Sequence, residues 1–287
     1  MLRMYVNGSF PKSRLRETIY DGSIWLNTQL DAAKSFCELA DSLIVEHLGD
    51  DPRNAHKRMA VEEFSGKVSL LKRNFTNCDE SKYLIRDFIV EIGQDPEDYL
   101  FDVPRLRVVP TYEYLHSGVS YAYKPHRDLW YGGPTCQINT WMTIYPIDPS
   151  QTMMVNPGYF DRPVENSSNA WDLKDWVENQ REKAASNVAR EERPHPVPLE
   201  DVSSDGEIRV AGERGEMIIF SGAHLHGTVP NHGELIRFSV DFRLFHIEDL
   251  RSGAGARNID SGARNVEFGY KDYFTASKFS RYSEMSA

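Results

Sequence analysis

The stretch Leu235-Ile236-Arg237-Phe238-Ser239-Val240-Asp241-Phe242-Arg243-Leu244-Phe245 alternates polar and apolar side chains through its middle, and it decides the fold class. Successive side chains of a β-strand point to opposite faces of a sheet, so the alternation predicts one long two-faced strand. One face would carry Arg237, Ser239, Asp241 and Arg243. We expect this polar face to line a wet cavity and the apolar face to pack against helices.

Further strands are predicted where short β-branched or aromatic runs are separated by proline or glycine. These runs are residues 106–109, 111–114, 120–123, 137–145, 153–155, 207–210 and 216–220. Many short strands with turn residues between them indicate a mainly β fold, a barrel or a two-sheet jelly roll. The first hundred residues instead carry apolar side chains at helical spacing, around residues 30–44 and 84–92, with Gly49 as the stop of the first helix.

The chain is expected to form a single domain of three consecutive parts. A helical N-terminal part covers residues 1–102, a jelly-roll core 103–247 and a tail 248–287. A helical insertion at about 160–200 interrupts the core, and it is either a lid over the barrel mouth or a surface decoration. The tail is expected to dock through aromatic side chains, on this domain or on a second subunit: Tyr270, Tyr273, Phe274, Phe279 and Tyr282.

Composition excludes several classes of partner. A net charge of −10 argues against a nucleic-acid or anionic-membrane surface, although one local arginine could still hold a small acidic ligand. Three scattered cysteines are too few for a disulfide framework or a thiolate zinc site. No signal peptide is visible, and no apolar run approaches the roughly 20 residues of a membrane span. We expect a cytoplasmic monomer or homodimer that binds a small molecule.

His126-Arg127-Asp128, followed far downstream by His226, predicts a metal site. Residues two apart in an extended segment point to the same side, so His126 and Asp128 can converge on one ion. Two imidazoles and one carboxylate bind a divalent ion on one face and leave the other face open. This set is typical of non-haem Fe(II) oxygenases.

Other histidines compete for these positions. His232 with Glu234 lies in a turn-like segment that no strand orients, and His246 with Glu248 has no later histidine to complete a set. His224 shares strand parity with His226 and is the alternative distal ligand. His226 is preferred because Arg237 follows it on the next strand.

Arg237 offers a fixed planar cation for the far carboxylate of a 2-oxo acid co-substrate. Arg243 lies on the same face but farther from the predicted metal end. The structural alternative for either arginine is a salt bridge to Asp241.

Over roughly residues 103–245 the chain resembles the phytanoyl-CoA dioxygenase-like branch of the Fe(II)/2-oxoglutarate oxygenases. The matching pieces are His126-Arg127-Asp128, the strand with Trp141, Pro157-Gly158, the strand 215–220, His226-Gly227-Thr228-Val229-Pro230-Asn231 and Arg237. The resemblance implies a double-stranded β-helix (cupin-like jelly roll), with Fe(II), 2-oxoglutarate and O2 as cofactor and co-substrates.

The resemblance also implies roles for individual residues. The iron ligands would be His126, Asp128 and His226. Arg237 would bind the distal carboxylate of 2-oxoglutarate, Thr228 would donate a hydroxyl hydrogen bond to that carboxylate, and Trp141 would wall the co-substrate pocket. Tyr159-Phe160, where the family usually has a Ser-His turn, and the helical insertion depart from the pattern and put the substrate in doubt.

The substrate is expected to be a small-molecule metabolite. Tyr121, Tyr123, Trp130 and Tyr131 are candidates for a mouth that stacks on rings or sugars, with ordinary barrel packing as the alternative. Halogenating relatives in this family keep a small residue at the position of Asp128, so the resemblance implies hydroxylation, desaturation or ring formation instead. Three other classes stay open: a zinc-dependent hydrolase, a non-catalytic carbohydrate-binding jelly roll, and a cupin-like dioxygenase that uses no co-substrate.

Overall fold

The structure is a computed structural model that describes residues 3–7, 14–121, 123–180 and 195–282. Its α-helices are Leu15–Tyr20 (α1), Asp31–Leu48 (α2), Val61–Asn77 (α3), Asp79–Glu91 (α4), Leu173–Asp175 (α5) and Ile247–Ser252 (α6). The long helix α2 ends at Gly49, which takes a positive φ of 84° as the predicted stop. Within the described ranges no helix has the length and apolar character to cross a membrane.

A seven-stranded sheet, here called the major sheet, forms one layer of the core. Its strands are Met4–Val6 (β1), Ile24–Asn27 (β2), Tyr99–Val109 (β3), Ile138–Thr143 (β4), Met217–Ser221 (β7), Arg237–His246 (β9) and Phe274–Thr275 (β10). They lie in the order β1-β2-β7-β4-β9-β3-β10. Only the β1–β2 pair is parallel among these described strands.

A three-stranded sheet, here called the minor sheet, forms the second layer. It consists of Met153–Asn156 (β5), Ile208–Arg209 (β6) and Leu225–Thr228 (β8), in the order β6-β5-β8. Trp141 and Phe220 of the major sheet pack with Met153 and Val155 of the minor sheet in one buried cluster. Two antiparallel sheets packed in this way confirm the predicted jelly-roll core.

The helices cover the outer face of the major sheet. Phe242 of β9 lies between Phe36 of α2 and Phe88 of α4, at ring-centroid distances of 5.4 and 5.3 Å. All three rings are fully buried. The apolar face of the stretch Leu235–Phe245 therefore packs against helices, as its alternation of polar and apolar residues predicts.

Two predicted strands are wrong. Residues 111–114 form a turn after Pro110, and the hydroxyl of Tyr114 donates to the carbonyl of Met59 instead of lying in a sheet. Gly118–Ser120 is a short 3-10 helix, and Tyr121 and Tyr123 are irregular. Thr and Tyr favour strands only where a neighbouring strand is available, so local propensity was overridden here.

The N-terminal part is less uniformly helical than predicted, because it also supplies β1 and β2 to the major sheet. In the insertion, α5 continues as a π-helix, Trp176–Gln180. The remainder of the predicted insertion helix, up to residue 192, lies outside the described residues.

The C-terminal tail docks on its own domain. Tyr273 stacks on Phe245 of β9 at a centroid distance of 4.0 Å. The next residue, Phe274, pairs with Phe101 as β10 adds to the edge of β3. Of the two predicted targets, the structure therefore shows the domain itself.

Candidate metal centre

His126 and His226 are held opposite each other by the backbone. Each donates its N–H to the carbonyl of the other, at 2.9 Å in both directions, although His126 lies outside any strand. Directly paired residues place their side chains on the same face. The two imidazole rings accordingly lie 4.4 Å apart, centroid to centroid.

Asp128 completes the set. Its Oδ1 lies 3.9 Å from Nε2 of His126, and its Oδ2 lies 3.8 Å from Nε2 of His226. One ligand atom from each residue falls within 4.8 Å of the others. Ligands that bind one ion at about 2.0–2.2 Å lie about 3 Å or a little more from one another, so only a small adjustment is needed.

Both rings are held in the tautomer that a metal needs. Nδ1 of His126 lies 2.7 Å from the carbonyl oxygen of Lys124, and Nδ1 of His226 lies 2.9 Å from that of His224. A carbonyl oxygen only accepts, so each Nδ1 carries a hydrogen, and in the neutral ring that a metal requires each Nε2 then presents a lone pair. Burial, reinforced by the neighbouring His226, lowers the pKa of His126 to about 3, which keeps its ring neutral.

Three donors support Asp128, and sequence reasoning assigned none of them to this role. The Oδ2 atom accepts from the amides of Gln137, at 2.8 Å, and Asn139. Oδ1 accepts from Nη2 of Arg243 at 3.3 Å. Burial opposes the charge on Asp128, but Arg243 and then His226 outweigh it and hold the pKa of the carboxyl well below its usual range. Of the three, only Asn139 lies inside the buried strand β4, where a polar residue is the signal that sequence reasoning could have used.

Two glycines make room for Gln137. A Cβ atom at Gly133 would lie 2.6 Å from its Oε1, and one at Gly222 would lie 3.2 Å from its Nε2. The same glycines bond to the backbone around the site, since Asp128 N–H donates to the Gly222 carbonyl and Gly133 N–H donates to that of Asp128. The Gln137 amide is therefore fixed by close packing before it meets Asp128.

Arg127, between the two proximal candidate ligands, points away from them. Its Nε donates to Asp260 at 2.9 Å, and its Nη2 donates to the carbonyls of Tyr159 and Arg162. The indole of Trp130 donates to the other oxygen of Asp260 at 2.8 Å. Arg127 thus ties the metal segment to the tail. Trp130, a predicted substrate-binding residue, is fully buried and is not among the residues that line the cavity.

A cavity of about 580 Å³ opens from the three candidate ligands. Tyr121, Tyr123 and Tyr131 line it as predicted, with His195 among them. Tyr131 lies 5.2 Å from the His126 ring, and Tyr121 stacks on His195 at 4.3 Å. His195, which sequence reasoning did not single out, lies within the proline-rich run Pro194–Pro198, which offers no strand or helix parity.

Arg237 reaches the same cavity, which Trp141 and Thr228 also line. Arg237 is only 3% exposed, and its Nε and Nη1 have no hydrogen-bond partner among the described residues. Its guanidinium lies 5.9 Å from the Trp141 ring. Burial and the neighbouring Arg107 lower the pKa of Arg237 to about 10, so it stays charged near neutral pH.

The alternative salt bridges from Asp241 to Arg237 or Arg243 are absent from the described ion pairs. Asp241 instead accepts two bonds from Arg107, at 2.5 and 2.9 Å. Arg243 pairs with Asp102 at 3.1 Å and with Asp128. Among the described residues, Arg237 therefore has no ion-pair partner.

The rival histidines lie elsewhere. His224 is buried with its Nε2 near the carbonyl of Gly22, at 3.1 Å, and does not line the cavity. His232 pairs with Glu113 on the surface at 3.2 Å, and His246 lies 3.9 Å from Asp249. No second group of three histidine, cysteine or acidic side chains able to hold an ion occurs in the part of the chain that is described.

Comparisons with known proteins give only distant likenesses. No family model and no curated protein matches the chain. Similar solved structures include a non-haem monooxygenase, ThoJ in its apo form (13% identity, 74% of this chain and 70% of that one, TM-score 0.43). Another is EctD from S. alaskensis in its apo form, with 12% identity over 89% of this chain and 85% of that one and a TM-score of 0.42. A third is the epimerase SnoN, in complex with Fe3+, alpha-ketoglutarate and nogalamycin RO. It has 12% identity over 88% of this chain and 94% of that one and a TM-score of 0.44. Likenesses this distant carry no conclusion about the reaction of this chain.

Proposed function

We propose that the chain is an Fe(II)- and 2-oxoglutarate-dependent oxygenase that hydroxylates a small-molecule metabolite. One observation carries the proposal: the three candidate ligands line the same cavity as a buried guanidinium whose Nε and Nη1 have no partner among the described residues. The first feature fits a metal with open positions, and the second fits a co-substrate with a distal carboxylate.

The donor chemistry fits Fe(II). Two neutral imidazoles and one carboxylate carry a single negative charge, and each is oriented by a hydrogen bond to its outer atoms. Zinc accepts the same donors, so the ligands alone leave the metal open. Arg237 favours the oxygenase, because a buried guanidinium whose donors lack partners among the described residues is destabilising unless an anion binds it. A zinc hydrolase, a co-substrate-free dioxygenase or a carbohydrate-binding jelly roll would leave Arg237 without a task.

With Fe(II) bound, O2 and 2-oxoglutarate would supply the oxidation: the co-substrate becomes succinate and CO2, and a substrate C–H becomes C–OH. The protein provides orientation. His126, Asp128 and His226 would hold the ion, and Arg237 would bind the distal carboxylate. The Thr228 hydroxyl would donate to that carboxylate, and Trp141 would confine the carbon chain. Desaturation or cyclisation of the substrate would use the same residues, and product analysis distinguishes them from hydroxylation.

Anaerobic addition of Fe(II) and 2-oxoglutarate tests the proposal through the weak visible charge-transfer band of the chelated co-substrate. We expect the band in the wild type. In Arg237→Ala we expect it only at a co-substrate concentration at least about tenfold higher, because a charge-assisted bond pair is lost. Arg214→Ala, a surface arginine paired with Asp41, is the matched control and should behave as the wild type. Correctly folded wild-type protein without the band would contradict the proposal.

A further inference from the structure

A second set of charges lines the cavity beside the candidate ligands. Arg105 and Arg107 come from β3, and Asp241 and Arg243 come from the paired strand β9. Arg243 stands six residues from Arg237, roughly 20 Å along an extended strand. These four side chains form a polar floor that begins beside Arg237, because Arg107 adjoins it, and ends at Arg105 and Arg243, away from the Arg237 pocket.

The ion pairs of this floor are unequal. Asp241 is fully engaged by Arg107 through two bonds. Asp102, by contrast, is shared by Arg105 at 2.7 Å and Arg243 at 3.1 Å. Burial opposes the charge on Asp102, but Arg105 and then Arg243 outweigh it and hold the pKa of that carboxyl below its usual range. The second partner of Arg243 is Asp128, which the metal would take.

Metal binding would leave this floor with a surplus of positive charge. The charges of a divalent ion, Asp128, doubly ionised 2-oxoglutarate and Arg237 sum to zero. Three guanidinium groups, Arg105, Arg107 and Arg243, then face two carboxylates, Asp102 and Asp241, while the other charged side chains of the lining, Lys72 and Asp272, offset each other. The surplus of one positive charge lies where Arg105 and Arg243 share Asp102, and these two side chains keep 31% and 25% of their surface exposed. In a cavity of low dielectric such a surplus favours an anionic ligand.

The wall of the same cavity is aromatic. Tyr121 and His195 stack with their planes only 4° apart, and the rings of Tyr131 and Trp171 lie 5.3 Å apart, edge to face. Flat ring faces of this kind pack best against a planar apolar group.

We propose that the substrate of the proposed oxygenase is a small carboxylic acid with a flat aromatic part, whose carboxylate binds Arg105 and Arg243. The inference rests on the proposed function, because the surplus exists only when a metal takes Asp128. A carboxylate matches a surplus of one charge, whereas a phosphate monoester carries about −1.5 to −2 at neutral pH. The planar fork of arginine also suits a carboxylate held by two groups.

Matched ligand pairs test the inference without turnover. The protein is loaded with Ni(II) and 2-oxoglutarate, and binding of both is first verified by calorimetry. Phenylacetate, 3-phenylpropanoate, 4-hydroxybenzoate and indole-3-acetate are then compared with their primary amides and with phenyl phosphate, by ligand-observed NMR and thermal shift. Arg105→Gln removes one guanidinium without touching Asp128, Arg105→Lys restores the charge, and Arg214→Gln is the surface control.

We expect at least one of the acids to bind, and its amide to bind at least about tenfold more weakly. Arg105→Gln should erase this difference, Arg105→Lys should recover part of it, and neither should change the affinity for 2-oxoglutarate. Three results would overturn the inference in protein that still binds Ni(II) and 2-oxoglutarate: equal binding of acid and amide, no binding of any acid at millimolar concentration, or tighter binding of phenyl phosphate. Failure to bind 2-oxoglutarate would instead contradict the proposed function.

Discussion

The two faces of β9 differ in chemistry, because alternating residues of this one strand are apolar on the outer face and mostly charged on the inner face. On the outer face, Phe238, Val240 and Phe242 are fully buried against the helices. On the inner face, Arg237 is nearly as inaccessible, but its Nε and Nη1 have no partner among the described residues, and Arg243 pairs with the candidate ligand Asp128 and with Asp102, which Arg105 also binds. The outer face supplies stability, and the inner face holds charge that needs a ligand. Substitutions on the two faces should therefore change stability in opposite directions.

The largest effect is expected on the outer face. Phe242→Ala should lower the free energy of unfolding by about 3–5 kcal/mol, because it leaves a cavity between two rings of the helical layer. Chemical denaturation measures the loss, and Phe242→Leu should lose much less because it keeps most of the volume. An alanine variant as stable as the wild type would show that the helices do not depend on this contact.

Removal of the candidate carboxylate ligand comes next. Asp128→Ala should weaken Ni(II) binding, measured by calorimetry, by more than about a hundredfold, since even the partners that orient metal ligands contribute 10–100-fold. Asp102→Ala, which removes a carboxylate of the same floor that is not a ligand, is the control. Equal losses in the two variants would mean that the ion depends on overall charge rather than on ligation by Asp128.

The Gln137 support should contribute less than the ligand itself. Gln137→Ala removes one donor from Oδ2 of Asp128 and leaves Asn139 in place. We expect Ni(II) affinity to fall by about 10–100-fold in protein that still folds. Unchanged affinity would show that Asn139 and Arg243 suffice to orient the carboxylate.

The smallest effect has the opposite sign. Arg237→Met keeps the length of the side chain and removes the unpaired charge, so it should raise the free energy of unfolding by about 1 kcal/mol in the absence of 2-oxoglutarate. Denaturation with and without the co-substrate checks this, because added 2-oxoglutarate should stabilise only the wild type. A destabilised Met variant would mean that Arg237 has a structural partner after all.

Strand parity explains why much of the site could be predicted. His126 and Asp128 lie two apart in an extended segment, and Arg237 and Arg243 share a face of β9, so the directions of these side chains follow from the sequence. His226 can be predicted as the distal candidate ligand because it lies one hairpin before Arg237 in the sequence. The same parity assigned the apolar face to the helices.

Parity fails where the backbone is irregular. Trp130 lies in the 3-10 helix Asp128–Tyr131, where the side chains of neighbouring residues point in different directions. Its indole N–H donates a hydrogen bond to Asp260, which lies 130 residues away in the sequence. The Asp128 support could not be derived either, because it depends on which strands become neighbours. Asn139 and Arg243 face each other only through the pairing of β4 with β9.

Anomalous diffraction from crystals grown with Mn(II) or Co(II) tests the central claim most directly. We expect one strong peak within about 2.0–2.2 Å of Nε2 of His126, Nε2 of His226 and a carboxylate oxygen of Asp128. A fully occupied ion bound elsewhere, with these three side chains left without it, would contradict the account.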